Sequence, residues 1–291
     1  MRISKVVVPV AGMGTRLFPT TRALPKEMLP VGRHPTIQVV VDELVGAGLI
    51  DLLFITAPSK KIIERQFIDN LDAGTGAGPA LTYSFAEQQT PPGWKKPGGT
   101  GVAIAMAEAF VDGDPFVVAY GDTIIRSTHE PSFLHRMLDA HSREDADATI
   151  AVRAVSENQI PAYGIVEPAT GQDPQSDAFW ISDIVEKPTI EEAPSNLAVN
   201  ARYIFGPSIF PHIHRLGPVN DAEVGITNAI RTLIEAGGKV QCVPLAQGET
   251  RYDIGNHIGY FKAFIDYALA DPDCGDEVRS YLSTVCAGGD E

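Results

Sequence analysis

A glycine-rich stretch near the amino terminus carries residue types suited to binding phosphate. Gly12 and Gly14 are separated by one residue, Arg16 follows closely, and Lys26 lies ten residues beyond it. Glycine lets backbone N–H groups approach an anion because it has no Cβ, while Arg16 and Lys26 add the positive charge that a loop alone lacks. The types and spacing of these residues predict a cradle for a polyphosphate.

Two better-known glycine motifs do not fit this stretch. A P-loop needs a lysine followed by serine or threonine directly after its second glycine, and nothing after Gly12 matches that pattern. A dinucleotide fingerprint needs a third glycine where Leu17 stands. A tight strand-to-helix turn with incidental charges is a fair explanation of the two glycines alone, but it does not account for Arg16 and Lys26 in register with them.

The same stretch resembles the signature of the sugar-phosphate nucleotidyltransferases. It reads G-M-G-T-R-L-F-P over Gly12–Pro19 and P-K-E-M-L-P over Pro25–Pro30. The similarity extends from about Lys5 to about Leu269, and its blocks are most similar to those of the bacterial members that join UTP to glucose 1-phosphate. The other matching blocks are Tyr163–Val166, Val185–Pro188, Asn196–Tyr203 and Arg251–Gly255.

The resemblance implies an enzyme that makes a nucleotide sugar and pyrophosphate from a nucleoside triphosphate and a sugar 1-phosphate, here UDP-glucose from UTP and glucose 1-phosphate. A phosphate monoester is largely dianionic at neutral pH, since its second pKa is about 6, so its oxygen can attack the α-phosphorus without a general base. The enzyme must instead align two anions and neutralise charge at the reacting phosphorus. Arg16, Lys26 and Lys187 are the residues expected to do so.

Two aspartates are expected to hold one Mg²⁺ ion. Asp122 follows the apolar run Phe116–Tyr120 and Gly121, so its carboxylate is predicted at the carboxyl end of a buried strand, where a hard cation could bridge phosphates. An ordinary turn aspartate is the competing explanation, which the position of Asp122 three crossovers after the glycine loop disfavours. By resemblance, Asp253 in the R-Y-D-I-G block is the second ligand.

The resemblance also assigns residues to the two substrates. Gln88 is expected to read the base, because its carboxamide offers one donor and one acceptor, which suits uracil and thymine alike. Glu186 and the Gly164 backbone are expected to hold the sugar, and Lys187 its phosphate. Neighbouring strand residues face opposite ways, so irregular backbone is predicted at Glu186 and Lys187. The residues expected to contact the nucleotide are Ala11, Gly12, Gly14, Thr15, Gln88, Gly99 and Gly101. Those expected to contact the sugar are Gly164, Glu186, Asn200 and Ala201.

Several positions depart from the family pattern. Asn200-Ala201 stands where the family has Val-Gly, and Asn228 and Asn256 stand where it has aspartate. None of these changes removes a proposed phosphate or metal group, yet several fall where the sugar and base are expected to bind. The transferase reaction is therefore predicted more firmly than the choice of glucose or uridine.

The elements around these residues alternate between strand and helix. The valine-rich run at Val6–Val8 is typical of a strand buried on both faces of a parallel sheet, and alternation of this kind implies right-handed βαβ crossovers. Lys60 and Lys61 are predicted on a solvated helix face. The predicted fold is α/β, with a doubly wound, mostly parallel, Rossmann-like sheet of the nucleotidyltransferase type, a small β-rich sugar-binding portion and a C-terminal helical tail.

One domain is expected over 1–291, with a nucleotide-binding half over 1–145, a sugar-phosphate-binding half over 146–255 and C-terminal helices over 256–291.

Composition limits the partners. A formal net charge of −14 and a pI near 4.9 argue against nucleic acid or an anionic membrane as partner. No apolar run approaches the roughly 18 residues of a membrane helix, and three scattered cysteines are typical of thiols in a reducing compartment. We therefore expect a cytoplasmic protein. Since the C-terminal helices of relatives pack against the core or a second subunit, the resemblance implies a homodimer or homotetramer.

Three alternatives remain open at this level. The first is the same chemistry with dTTP, CTP or another sugar 1-phosphate. The second is a non-catalytic, ligand-sensing homologue, although such proteins typically lose a cradle cation or a metal carboxylate, and this chain keeps all four. The third is a glycosyltransferase with a D-x-D metal motif. Asp112-Gly113-Asp114 has that spacing, but it precedes its strand instead of ending it.

Overall fold

The computed structural model describes residues 3–68, 81–90, 98–217 and 224–287, which divide into two compact units. The first unit comprises Met1–Gly12, Glu43–Tyr120 and Arg126–Thr250, and the second comprises Met13–Asp42, Gly121–Ile125 and Arg251–Glu291. None of the helices within the described ranges is both long and apolar enough to cross a membrane.

In chain order the strands are β1 (Lys5–Pro9), β2 (Pro30–Val31), β3 (His34–Pro35), β4 (Asp51–Thr56), β5 (Thr82–Glu87), β6 (Phe116–Ala119), β7 (Thr123–Arg126), β8 (Ala148–Ala154), β9 (Gly164–Pro168), β10 (Phe179–Glu186), β11 (Leu197–Phe205), β12 (Val240–Pro244) and β13 (Thr250–Asp253). The α-helices are α1 (Thr36–Gly46), α2 (Lys61–Ile68), α3 (Thr100–Ala105), α4 (Glu108–Val111), α5 (Phe133–Glu144), α6 (Ile209–Leu216), α7 (Ile226–Glu235), α8 (His257–Leu269) and α9 (Gly275–Ala287).

The first unit contains a nine-stranded sheet in the order β5-β4-β1-β6-β11-β8-β12-β10-β9. Strands β5, β4, β1 and β6 are parallel to their neighbours, as are β8 and β12. Strand β11 runs antiparallel to β6, β8 and β9, and β10 runs antiparallel to β12 and β9. The prediction of a mostly parallel sheet is therefore wrong. The sheet is mixed, because β11 enters antiparallel between β6 and β8 and because β9 and β10 join as an antiparallel pair.

The core of the first unit follows the strand pattern. Val6, Val7 and Val8 of β1 have no exposed surface, as expected for a strand covered on both faces. Every residue of β11 is buried as well, including the charged Arg202. Its guanidinium donates to the Glu43 carboxylate through Nε at 3.1 Å and Nη2 at 2.7 Å. A buried charge needs such a partner, and Glu43 supplies it from within the same unit.

The two lysines after β4 differ in environment. Lys60 is only 6% exposed, and its Nζ donates to the Val10 carbonyl oxygen at 2.6 Å. The prediction of a solvated face is wrong for Lys60, because Pro58–Lys60 forms a 3₁₀ turn ahead of α2. It is correct for Lys61, which is exposed and pairs with Glu64 and Glu87.

The second unit is built from short elements, the first part of α1 (residues 36–42) and two complete helices. It holds the β2–β3 pair, the β7–β13 pair, three 3₁₀ turns within residues 15–28, and the helices α8 and α9. Asn256 caps α8, since its Oδ1 accepts from the Gly259 amide at 2.8 Å. Asparagine is among the preferred residues at this position, so the change from aspartate at 256 preserves the cap.

Candidate functional site

Four predicted residues converge on Gly255 in the second unit. The position that a Cβ would take on Gly255 lies 2.8 Å from Arg16 Nη2. The same position lies 2.9 Å from Asp253 Oδ1 and 3.1 Å from Asp122 Oδ2. Lys26 Nζ donates a hydrogen bond to that Asp122 oxygen. The structure thus gathers a guanidinium, an ammonium and two carboxylates around a space that only a residue without a side chain leaves open.

Strand pairing positions the two carboxylates. Asp122 directly precedes β7, Asp253 ends β13, and these two strands pair. The Ile254 amide donates to the Asp122 carbonyl oxygen at 2.9 Å. The Gly255 amide donates to Asp253 Oδ1 at 2.9 Å, which fixes that side chain. Strand pairing therefore places the two residues side by side; the Gly255 amide orients the Asp253 carboxylate, and the Lys26 ammonium contacts the Asp122 carboxylate.

The turn that carries Arg16 follows from the glycine before it. Gly14 has a φ of +65°, in the left-handed region that glycine enters without steric cost, and it begins the 3₁₀ turn Thr15–Leu17. Thr21 Oγ1 donates to the Gly14 carbonyl oxygen at 2.7 Å and secures the turn. Arg16 itself is exposed, and across residues 3–68, 81–90, 98–217 and 224–287 no hydrogen bond or ion pair holds its guanidinium. It is therefore available to an anion.

Lys26 and Asp122 set each other's charge. Each side chain is 15% exposed. Burial by itself would raise the pKa of Asp122, but the charge and hydrogen bond of Lys26, together with the charge of Arg251, lower it. Burial by itself would lower the pKa of Lys26, but Asp122, Glu27 and Asp253 raise it. At neutral pH the site thus holds an ionised carboxylate and an ammonium.

Three residues of this cluster were missed by the sequence reasoning. Arg251 is one, with Nη2 3.8 Å from Asp253 Oδ2 and a side chain only 9% exposed. Gly255 is the second, and Gly259 is the third, since a Cβ there would lie 2.0 Å from the Asp253 carbonyl oxygen. Helix α8 can approach Asp253 this closely only through a glycine. The block R-Y-D-I-G contained the signal for Arg251 and Gly255, but their role depends on proximity in space.

Asp122 and Asp253 have the donor set that Mg²⁺ uses at phosphate sites. Mg²⁺ prefers oxygen ligands and is often bound by one or two carboxylates together with substrate phosphates and water. Two carboxylate oxygens within 3.1 Å of one point match that requirement. Within the part of the chain that the structure describes, no group of three or more His, Cys, Asp or Glu side chains is arranged to hold a metal alone. Two carboxylates are the share that a protein commonly gives to a Mg²⁺ site that is completed by phosphates and water.

In the first unit, the predicted nucleotide residues lie at the carboxyl ends of parallel strands. Ala11 and Gly12 follow β1, and Gln88 follows β5; Pro9, Ile55 and Ala86 are in register across β1, β4 and β5. This edge is where open α/β sheets bind ligands.

The structure also brings Gln88 and the next glycine pair together. Gln88 Nε2 donates to the Gly99 carbonyl oxygen at 3.3 Å. Gly101, in the first turn of α3, donates its amide to the Val224 carbonyl oxygen at 2.8 Å. A Cβ on Gly101 would lie 2.8 Å from both that oxygen and Val224 Cγ1, so a larger residue would separate α3 from Val224.

The predicted sugar residues lie on three neighbouring strands of the first unit. Gly164 of β9 is in register with Glu186 of β10, and a Cβ on Gly164 would lie 3.4 Å from Glu186 Oε2. The same position is 3.1 Å from Thr227 Oγ1, a hydroxyl that the sequence reasoning did not single out. Lys187 follows the end of β10 with a φ of +48°, which confirms the predicted irregular backbone. Its Nζ lies 3.2 Å from Glu186 Oε1.

Asn200 and Ala201 occupy a break in β11. The pairing of β11 with β8 loses register between Val199 and Tyr203. Ala201 has a φ of +56°, a backbone conformation that suits the glycine of the family pattern. Asn200 has no exposed surface. The break thus places a second buried polar side chain, besides Arg202, in this strand.

The fold and this group of charged side chains define a nucleotidyltransferase: the chain belongs to the nucleotidyl transferase family, whose sequence profile matches residues 5–269. The resemblance seen in the sequence blocks is confirmed. The chain is 36% identical to UTP–glucose-1-phosphate uridylyltransferase of Streptococcus pneumoniae over 301 residues, covering 97% of this chain and 95% of that protein. It is 34% identical to the enzyme of the same name from Streptococcus pyogenes over 300 residues, covering 97% and 94%.

Solved structures of UDP-glucose pyrophosphorylases are also similar to this chain. UDP-glucose pyrophosphorylase from Acinetobacter baumannii superposes with a TM-score of 0.83 at 30% identity, covering 98% of this chain and 100% of that one. A UDP-glucose pyrophosphorylase complexed with UDP-glucose superposes with a TM-score of 0.80 at 30% identity, covering 93% and 100%.

Proposed function

We propose that this chain transfers a uridylyl group from UTP to glucose 1-phosphate, forming UDP-glucose and pyrophosphate. The observation that carries the proposal is the convergence of Arg16, Lys26, Asp122 and Asp253 on Gly255. The similarity to uridylyltransferases over 97% of the chain supports the same substrates. A ligand-sensing homologue would not need this complete set of cations and carboxylates, so the set favours an enzyme.

In the proposed reaction, an oxygen of the sugar phosphate attacks the α-phosphorus of UTP. A new P–O bond forms, the bond to the β-phosphate bridging oxygen breaks, and its electron pair leaves with pyrophosphate. The nucleophile is already deprotonated, so no side chain has to remove a proton. Arg16 and Lys26 hold the triphosphate and offset the charge that develops on it, and Lys187 holds the phosphate of the sugar. Asp122 and Asp253 would hold Mg²⁺, which would supply further positive charge to the reacting phosphates.

The substrates are assigned to residues as follows. We propose that residues 1–145 supply most contacts to UTP, residues 146–255 most contacts to the sugar phosphate, and residues 256–291 helices that support the domain. Gln88 reads the uracil edge. The other nucleotide residues are Ala11, Gly12, Gly14, Thr15, Gly99 and Gly101, and the sugar residues are Gly164, Glu186, Asn200 and Ala201.

A pyrophosphate-release assay tests the proposed function. Purified protein is supplied with Mg²⁺, a panel of UTP, dTTP, CTP, ATP and GTP, and a panel of sugar 1-phosphates. We expect the highest kcat/KM with UTP and glucose 1-phosphate, by about tenfold or more over dTTP. That nucleotide carries an extra methyl group and lacks the ribose 2′-hydroxyl, and a single methyl group is already worth roughly that factor. A preference for dTTP would leave the chemistry intact and change the substrate. No pyrophosphate from any pair would contradict the enzyme and favour the ligand-sensing alternative.

Replacing Gly255 with alanine is expected to lower kcat by about tenfold to a hundredfold, because displacements of about 1 Å at a reacting centre cost factors of this size. The new methyl group would lie within 3.1 Å of both carboxylate oxygens and of the Arg16 guanidinium. Gly46→Ala is the matched control, since a Cβ at Gly46 meets nothing within 4 Å. Unchanged Mg²⁺-dependent rates for Gly255→Ala would show that the space around Gly255 is not used.

We also propose that Mg²⁺ is the metal, that the protein is cytoplasmic and that it forms a homodimer or homotetramer. Charged substrates that do not cross membranes support the location, which cell fractionation tests. Exposed apolar side chains on α8 and α9 support self-association; they are Ile258, Phe261, Phe264, Ile265, Tyr281 and Val285. Light scattering gives the mass in solution, and a monomeric mass would contradict the assembly.

A further inference from the structure

Helix α8 contacts the strand that carries Asp253 through the tyrosine that precedes this aspartate. Tyr252 is 5% exposed, and its Oη donates to Asp266 Oδ2 on α8 at 2.7 Å. Successive residues of a strand face opposite sides, so Arg251 and Asp253 share one face of β13 and Tyr252 lies on the other. The tyrosine therefore joins α8 to the strand on the side away from the two charged residues.

The start of α8 holds the same strand at a second point. Asn256 Nδ2 donates to the Asp253 carbonyl oxygen at 3.1 Å, and Asn256 Oδ1 accepts from the Gly259 amide within the first turn of the helix. Contacts to two adjacent residues fix the orientation of the strand as well as its position. That orientation decides where the Asp253 carboxylate lies.

The other end of α8 is anchored independently of Tyr252. Just after the helix ends at Leu269, Asp271 accepts from Arg33 Nε at 2.5 Å and from Arg33 Nη2 at 2.8 Å. The position that a Cβ would take on Gly32 lies 3.3 Å from Tyr267 Cβ. Gly32 and Arg33 form the turn between β2 and β3. A helix held at both ends can serve as a fixed support for the strand.

Building on the proposed function, we propose that Asp266 is a positioning residue that acts through the Tyr252 hydroxyl to set the Asp253 carboxylate for Mg²⁺. A hydrogen bond from a hydroxyl to a carboxylate is one of the stronger kinds, and the 2.7 Å separation is typical of it. Removing a group that orients a metal ligand commonly lowers metal affinity by about 10- to 100-fold. Because Asp266 acts through one further residue, the lower end of that range is expected.

Binding of UTP with and without metal tests the inference and needs no turnover. Calorimetry gives the UTP dissociation constant in Mg²⁺ and again in EDTA for the wild type, Tyr252→Phe and Asp266→Ala. Both variants are expected to raise the dissociation constant in Mg²⁺ by about tenfold and to leave the value in EDTA unchanged, because only the metal ligand is displaced. The double variant should lose no more than either single one, since the two groups form one bond.

Two further variants separate positioning from a general effect on folding. Asp266→Asn keeps an oxygen that can accept from the Tyr252 hydroxyl, so it should recover most of the binding lost in Asp266→Ala. Tyr281→Phe is the matched control for the tyrosine, because Tyr281 is 68% exposed on α9, and it should bind UTP as the wild type does. Melting temperatures show whether each variant is folded, and Tyr252→Phe decides the question if Asp266→Ala does not fold.

Two results would overturn the inference. One is wild-type affinity for UTP in Mg²⁺ after Tyr252→Phe and Asp266→Ala. The other is an equal loss of affinity in Mg²⁺ and in EDTA, which would indicate a structural role. A wild type that binds UTP equally well in both solutions would contradict the proposed Mg²⁺ site and, with it, this inference. Absence of pyrophosphate release from the wild type would instead contradict the proposed function and leave the binding test unaffected.

Discussion

Arg16→Ala is expected to reduce the rate of pyrophosphate release by about a hundredfold or more, the range seen when one group that stabilises transition-state charge is removed. Its Nη2 lies 2.8 Å from the Cβ position of Gly255, beside both carboxylates. The melting temperature should stay nearly constant, because Arg16 is exposed and its removal leaves neither a cavity nor a stranded partner in the described structure. Initial rates and thermal melts of the same preparation provide the measurement.

Arg22→Ala is the control for this result. Arg22 is an exposed arginine in the next 3₁₀ turn, and its guanidinium lies 5.3 Å from the centre of the Phe18 ring. It has no part in the Gly255 cluster, so its loss should change the rate by less than about threefold, as expected of a surface substitution. If Arg16→Ala lowered stability as much as activity, Arg16 would be a structural residue.

Asp122→Asn is expected to abolish Mg²⁺-dependent turnover, with a fall in rate of about a hundredfold or more. Asparagine keeps the shape of the side chain but removes the negative charge that a hard cation needs. The change also removes the charged hydrogen-bond acceptor of the Lys26 ammonium, which is 15% exposed, so the free energy of unfolding should fall by about 1–3 kcal/mol. Rates against Mg²⁺ concentration and calorimetric titration of Mg²⁺ with UTP present measure the two effects separately.

Two further variants test whether the effect is specific to the proposed metal ligands. Asp253→Asn removes the other carboxylate and should give the same loss of Mg²⁺ dependence. Asp114→Asn removes an aspartate that pairs with Lys5 at 2.8 Å and is 42% exposed, and it should leave the Mg²⁺ dependence unchanged. Mg²⁺-dependent turnover that survives Asp122→Asn would place the metal elsewhere.

The charged residues around Gly255 could be predicted from sequence because their types are dictated by chemistry. Binding phosphate needs fixed cations, and a hard metal needs carboxylates, so Arg16, Lys26 and Asp122 could be proposed from residue type and position, whereas Asp253 was found through its family block. The part that Arg251 and Gly259 play in arranging Asp253 could not be predicted in this way. Their contribution lies in a 3.8 Å approach to one carboxylate and in a helix that packs against the Asp253 backbone.

The strand directions in the sheet could be predicted from sequence only in part. Alternating elements in the first 120 residues correctly indicate parallel strands β5, β4, β1 and β6. The direction of β11 could not be predicted from its own residues, because a fully buried strand has the same apolar pattern whether its neighbours are parallel or antiparallel. The prediction that Lys60 is exposed to solvent was wrong for a related reason. The buried Lys60 ammonium donates to the Val10 carbonyl oxygen, which is distant in sequence.

The second unit is assembled from three stretches of chain, 13–42, 121–125 and 251–291, which the first unit interrupts twice. Each stretch contributes at least one charged member of the Gly255 cluster, so no continuous fragment shorter than the span from Arg16 to Gly255 contains all of them. During synthesis, a nascent chain acquires the full cluster only after the ribosome has passed Gly255, and a premature stop codon before Arg251 yields a product that lacks one carboxylate. For protein engineering, this unit cannot be excised or exchanged as a single cassette.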